Sequence, residues 1–375
     1  MSEPITVSLM FSSALIVLGA AGSVMMATGL SRAHASATQC LIGMGVFAVS
    51  AIAFHLLGHF FMYGRMESDF LPLAVAVFAA SIIPGSLTER VHIWPLFIFT
   101  FFFSAFLFPV AGAFTWGGTW LKDLGFHDFA GATVIHVAAG CAALTGSYIM
   151  GPRAGRYAPD GRPIPFPGSN IPLATAGVFL VLAGCLGLVA GHSLPEMSKA
   201  YTNIMMGAAG GVVAALMYVT WNHTKPDTTI VMNALVAGLV AVSAGADLFS
   251  PFFAVLVGAV GGVLCAFIVP RMDRYKFDDP AGIIPAHLAA GIWGTLAVVF
   301  AGHIVGQIAG LVLTMIITGG GSAVVWLFLK RVMGLRCSGR AERHGLDMEA
   351  VGLEAYPDFP VRTTGRPDIT QIDKF

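Results

Sequence analysis

Apolar residues in this chain run in long stretches, separated by short polar loops that carry proline, glycine or charge. Eleven stretches approach the roughly 20 mainly apolar residues that a bilayer-crossing helix needs. They cover about 5–30, 38–62, 70–87, 93–116, 129–150, 171–192, 201–221, 228–246, 250–270, 283–301 and 304–331. From about residue 332 the chain turns polar and contains Pro357, Pro360 and Pro367. The pattern predicts an all-α integral membrane protein, with a membrane domain over 1–331 and a tail outside the bilayer over 332–375. No basic segment precedes the first stretch, so Ile5 to Leu30 is expected to remain as a span and not to be cleaved as a signal peptide.

Composition agrees with this class. Apolar residues make up 56% of the chain and charged residues 11%, against about 25% charged in a soluble domain. The formal net charge is zero, so no basic surface points to a nucleic-acid partner. The five cysteines (Cys40, Cys141, Cys185, Cys265 and Cys337) show no CxxC spacing. That argues against a disulfide framework or zinc site and for small packing residues. No nucleotide or cofactor fingerprint is present, and no cofactor, metal or enzymatic activity is expected.

Lysine and arginine set the orientation, because cytoplasmic loops carry the excess. With eleven spans the termini lie on opposite sides. A cytoplasmic C-terminus places Arg32, Arg90, Arg153, Arg156, Arg162, Lys225, Arg271, Arg274, Lys276 and the basic tail inside. Only Arg65, Lys122 and Lys199 are then outside. The expected topology is multi-pass, N-terminus out and C-terminus in, in a cytoplasmic (inner) membrane.

One thirteen-residue pattern, D-x-A-G-x4-H-x-A-A-G, occurs twice. It spans Asp128 to Gly140, with His136, and Asp279 to Gly291, with His287. Asp128 precedes the fifth span in an outside loop, and Asp279 precedes the tenth in an inside loop. The copies therefore run antiparallel, and spans one to five and six to ten form two inverted five-helix repeats, with the eleventh helix left over. Inverted repeats are common in transporters, whose substrate sites lie between the halves near mid-membrane. Each histidine lies roughly 12 Å from its aspartate at 1.5 Å per residue, which brings both near the middle of a core roughly 30 Å thick.

Histidine can take up and release a proton near neutral pH, and desolvation disfavours its charged form. Two adjacent imidazoles would titrate as a coupled pair and offer one donor and one acceptor to a small polar guest. Two other readings stay open: a pair of core histidines bonded to each other, or a metal site. The latter lacks a carboxylate or cysteine to complete the ligand set.

These features resemble the ammonium transporter (Amt/Rh/Mep) family. Asp128-Phe-Ala-Gly-Ala-Thr-Val-Ile-His136 is similar to its D-F-A-G-G-x-V-V-H signature, and Gly85-Ser-Leu-Thr-Glu89-Arg90 to its G-A-x-x-E-R motif. Asp278-Asp279-Pro280 leading to His287 resembles the signature of helix ten. Gly345 to Tyr356 resembles the family tail, with Val351 where a histidine is usual. The resemblance implies a homotrimer with one pore per subunit and His136 and His287 as the pore pair and proton relay. It implies an outer recruitment site around Trp116, with Asp128 as a structural acid that caps helix five. Trp116 also fits an interfacial belt tryptophan, and Asp128 a plain N-cap.

Several positions depart from the family. Its two gate phenylalanines become Val75 and Leu188, and the phenylalanine one turn before Val75 becomes Leu71. Gly184-Cys-Leu-Gly187-Leu188-Val189 aligns with G-W-F-G-F-N, and the vestibule serine becomes His192, with Ser193 beside it. Phe78, a turn from Val75, is a candidate replacement for the lost aromatic. Near the inner mouth Asp278 and Asp279 are kept, but the second family aspartate of helix ten becomes Gly282. His55 and His59, four residues apart, are expected to share one helix face. They would make polar contacts within the bundle, line the outer mouth or bind a metal. The reading is transport of ammonium or ammonia through a hydrophobic pore in the lipid bilayer. The alternatives are an ammonium-sensing domain without efficient transport and a neutral gas channel. A PII-type regulator on the cytoplasmic face, at loop 151–170 and the tail, is a further implied partner.

Overall fold

The computed structural model describes residues 3–66, 69–189, 194–222, 225–302 and 304–357. Eleven apolar helical segments account for about three quarters of them. They are α1 (Val7–Leu30), α2 (Ala33–Tyr63), α3 (Phe70–Ser86), α4 (Ile93–Asp123), α5 (Ala132–Met150) and α6 (Ile171–Gly187). The second set is α7 (Pro195–Asn222), α8 (Thr228–Ser243), α9 (Pro251–Arg274), α10 (Ile284–Ala301) and α11 (Ile304–Val332). The described residues contain no strand, only two isolated bridges. Helix starts follow local chemistry. Asn170 accepts from Leu173 N at 2.9 Å before α6, and Asp227 accepts from Thr229 N at 2.8 Å before α8. These caps satisfy orphan donors of the first turn.

The two halves interlock in matching ways. The first helices of each half, α1 and α6, meet through glycines: a Cβ on Gly184 would lie 2.5 Å from the Gly19 α-carbon, and one on Gly177 2.6 Å from the Gly22 carbonyl. Small residues let backbones approach closely where no hydrophobic effect drives helices together. The third helix of each half feeds the start of the other half's fifth. Phe129 N and Ala130 N donate to Ala244 O and Ser243 O at the end of α8, both at 3.0 Å. Ala281 N donates to Gly85 O at the end of α3, at 3.2 Å. Each exchange satisfies backbone groups that hydrocarbon would leave without partners. It also explains how α3 and α8, both under 18 residues, fit a spanning bundle.

One bundle end concentrates charge. Glu89, in the left-handed region at φ 67°, accepts from Arg32 and from Arg153. Arg153 also grips Asp278, at 2.8 Å from Nε and 3.0 Å from Nη2. Arg90 donates to Ser147 Oγ at 2.6 Å and to Asp278 O at 2.9 Å. The cluster ties the end of α1, the α3–α4 and α5–α6 loops and the start of α10. Burial alone would raise the Asp278 carboxyl, but the Arg153 guanidinium and its hydrogen bonds hold it well below the usual carboxylate range. The polar segment after α11 packs on this same end. Asp347 accepts from Ala37 N at 3.0 Å, Thr38 N at 2.7 Å and Thr38 Oγ1 at 2.8 Å, while Glu342 pairs with Arg336.

Wide π-helical turns, which add a residue to the local turn, interrupt α2, α4 and α11 and open α5 and α10. In α2 the turn Phe54–Gly58 corrects an expectation. His55 is exposed, while His59 is buried against Phe54, ring centroids 4.8 Å apart. The extra residue shifts the helical phase, so residues four apart no longer share a face.

Two predictions follow from this packing. Gly184→Val should lower the thermal midpoint in detergent by an overpacking cost of about 1–3 kcal/mol. Gly320→Ala, whose Cβ would meet nothing within 4 Å, should leave it unchanged; equal midpoints would refute the close α1–α6 contact. Asp278→Asn should cost about 3–5 kcal/mol by leaving a buried guanidinium under-compensated. Asp160→Asn, in an exposed pair with Arg162, should have no effect. Because the folded pKa of Asp278 is depressed, its stabilisation is present above the usual carboxylate range and lost as pH falls through the lowered value. Acid titration should therefore narrow the gap between wild type and Asp278→Asn.

Candidate functional site

His136 lies in the π turn Ala132–Val137 of α5 and His287 in the π turn Ile284–Ala289 of α10. Such turns occur frequently at functional sites, and here the same local device appears in both copies of the repeat. The two rings meet: Nδ1 to Nδ1 is 3.0 Å, the centroids are 5.1 Å apart and the planes are tilted by 31°. Both side chains are buried, at 0% and 2% exposure. A hydrogen bond between two Nδ1 atoms requires one to carry a proton and the other to be bare. In a neutral pair the first ring then has a bare Nε2, and the second an Nε2–H. The pair therefore presents one acceptor and one donor, and its tautomers are coupled.

Two other side chains reach this level. Cys185 Sγ lies 4.0 Å from His136 Nε2, and Phe78 stands edge-on to His136 at a centroid distance of 6.0 Å. Phe78 thus packs on the histidine and is not among the residues lining the vestibule. The alignment gave Cys185 only as a departure from a family tryptophan. Its contact with His136 depends on how α6 is rotated against α5.

A cavity of about 190 Å³ is lined by Trp116, Leu71, Val75 and Leu188, which the sequence singled out, and by Tyr63, Phe108 and Phe129, which it did not. Phe108 lies eight residues before Trp116, two turns along α4, and Phe129 directly follows Asp128. Those spacings were the available signal. The indole Nε1 of Trp116 donates to Asp128 O at 3.1 Å. The Asp128 carboxylate does not line the cavity; its Oδ2 accepts from Thr133 N at 3.0 Å and Val134 N at 2.9 Å. Burial pushes this carboxyl up to about 6, against the pull of those N–H donors. His192 and Ser193 lie outside the described residues.

At the opposite end Asp279 repeats this arrangement. Its Oδ2 accepts from Ile284 N at 2.8 Å and its Oδ1 from Ser86 Oγ at 2.6 Å. Asp278 belongs to the arginine cluster. Among the described residues no group of three or more His, Cys, Asp or Glu could hold a metal ion.

Known proteins share this architecture. Residues 68–356 match the Ammonium Transporter Family. Ammonium transporter Amt2 of Archaeoglobus fulgidus is 31% identical, covering 94% of this chain and 88% of that protein. Ammonium transporter Amt1 of Methanocaldococcus jannaschii is 29% identical, covering 93% and 96%. Among solved structures, a sensor Amt protein superposes with a TM-score of 0.87 at 26% identity, covering 92% of this chain and 97% of that one. Candida albicans Mep2 superposes with a TM-score of 0.81 at 22% identity, covering 97% and 93%. With this coverage in sequence and fold, the chain belongs to the ammonium transporter family.

Proposed function

We propose that this chain, a transporter and not an enzyme, moves ammonium or ammonia across the cytoplasmic membrane, with His136 and His287 at the centre of the pore. The observation that carries the reading is the buried, hydrogen-bonded pair of imidazoles between two inverted helices, beneath an aromatic vestibule. Ammonium is recruited at the Trp116 mouth, where the indole face offers a cation–π attraction of about 0.5–2 kcal/mol. Asp128 serves this mouth indirectly, holding the start of α5 through its carboxylate and Trp116 through its carbonyl. His192 and Ser193 are assigned to the same mouth from the alignment alone.

Val75, Leu188 and Leu71, which line the same cavity, are assigned as its gate, with aliphatic side chains at the gate positions themselves. An intact cation in hydrocarbon costs several kcal/mol, so ammonium hands its proton to the bare Nε2 of the histidine pair, the Nδ1–H proton shifts to the second ring, that ring releases its Nε2 proton toward the opposite mouth, and ammonia passes the pair. The bare Nε2 of one ring accepts and the Nε2–H of the other donates, which suits both ammonia and a relayed proton. Asp279 and Asp278 anchor the opposite mouth. The charge asymmetry supports the Trp116 end as the outer face and the Glu89 end, with the tail beyond 332, as the cytoplasmic one. Family membership supports a homotrimer with one pore per subunit. Loop 151–170 and the docked tail offer the surface for a PII-type regulator, a fit weakened by Val351.

Reconstituted into proteoliposomes, the wild type should pass an ammonium-dependent current that the His136→Ala/His287→Ala double variant lacks. Undiminished current in the double variant would overturn the pore assignment, and ammonium binding without current in the wild type would favour the sensing alternative. Trp116→Ala should raise the half-saturating ammonium concentration about 2- to 30-fold, the equivalent of the cation–π attraction, with little change in maximal current. An unchanged half-saturation would place recruitment elsewhere.

A further inference from the structure

The mouth opposite Trp116 contains a cavity of about 410 Å³. Gly282 and Pro285 line it, and Pro285 lies in the same π turn as His287, so the cavity leads toward the far side of the pair. Four aspartates line it against two arginines. Asp278 is held by Arg153 and Asp273 by Arg156, while Asp227 accepts from the neutral donors of its own turn. Such a basin attracts a cation.

Asn233 of α8 also lines this cavity, and its side chain is unusual. The residue is only 5% exposed. Its Nδ2 donates to Thr229 O at 3.1 Å, which fixes the amide orientation, since a flipped amide would set oxygen against oxygen. Its Oδ1 is then a buried acceptor with no hydrogen-bond partner. The carboxamide lies over the bare α-carbon of Gly282, where a Cβ would come within 2.6 Å of Nδ2 and 2.8 Å of Oδ1. Gly282 has φ +71°, a conformation that suits glycine. The missing side chain at 282 thus makes room for the amide, whose unpartnered oxygen is held in the wall of the cavity.

We propose that Asn233 is the ammonium-binding residue of this second mouth. Its Oδ1 accepts an N–H of the ion, and Asp227 supplies the balancing charge. The assignment rests on the pore reading above. It gives the chain two unlike recruitment sites, an aromatic one at Trp116 and a carbonyl one at Asn233.

Currents driven by ammonium chloride from either side, in right-side-out and inverted vesicles, test it. Asn233→Ala should raise half-saturation roughly tenfold for ammonium supplied at the Asn233 mouth, the scale of one hydrogen bond to a charged group. Half-saturation from the Trp116 mouth should stay within about twofold by the same reasoning. Asn233→Asp, which keeps an acceptor and adds charge, should lower the first value, and carries the test if the alanine variant does not fold. Equal shifts at both mouths, or none at either, would overturn the assignment. Absence of wild-type current from both sides would instead overturn the pore reading.

Discussion

An uncompensated charge in hydrocarbon is disfavoured by several kcal/mol, and the layout of this molecule follows from that penalty. Ionised side chains gather at the bundle ends, where Glu89, Arg153, Asp278 and Arg32 neutralise one another. Within the spans His136 and His287 meet the same constraint by sharing one hydrogen bond. A neutral pair is compatible with an apolar surround, yet keeps an Nε2 donor on one ring and an Nε2 acceptor on the other. The same feature that makes the histidines tolerable in the membrane makes them useful to a guest that alternates between a charged and a neutral form.

Placing the pair demands accuracy from the scaffold, because a hydrogen bond tolerates only a few tenths of an ångström. Glycine contacts between α1 and α6 set one wall at backbone-to-backbone distance. The exchange of α3 and α8 ends with the starts of α10 and α5 fixes the depth at which each histidine enters. Thr133 and Thr295 add a hydroxyl bridge of 2.7 Å between α5 and α10. The ionic cluster then locks the Glu89 end to the polar segment after α11. Together these contacts tie the two halves to one another.

The two mouths differ more than the inverted repeat suggests. Both fifth-helix starts use an aspartate to bind backbone N–H groups, at Asp128 and Asp279. One opens on aromatic faces and an indole, the other on carboxylates, arginines and a carboxamide. Pseudo-symmetry governs the backbone, and side-chain chemistry breaks it at the two ends.

Spans, their alternating direction and the pairing of His136 with His287 were legible in the sequence, because hydropathy, basic-residue bias and a matched Asp-to-His spacing each act along a single helix. The same holds for Trp116, Val75, Leu71 and Leu188, whose motif positions brought them to one cavity. What escaped the sequence depends on rotation between helices distant in the chain. His55 and His59 part company because a π turn shifts the phase of α2, and Phe78 turns to the histidine and not to the vestibule. Phe108 and Phe129 join the aromatic lining, Cys185 comes to His136 Nε2, and the Asn233 amide settles over Gly282. Periodicity records which residues are apolar, but only close backbone packing and added turn residues decide which faces are opposed.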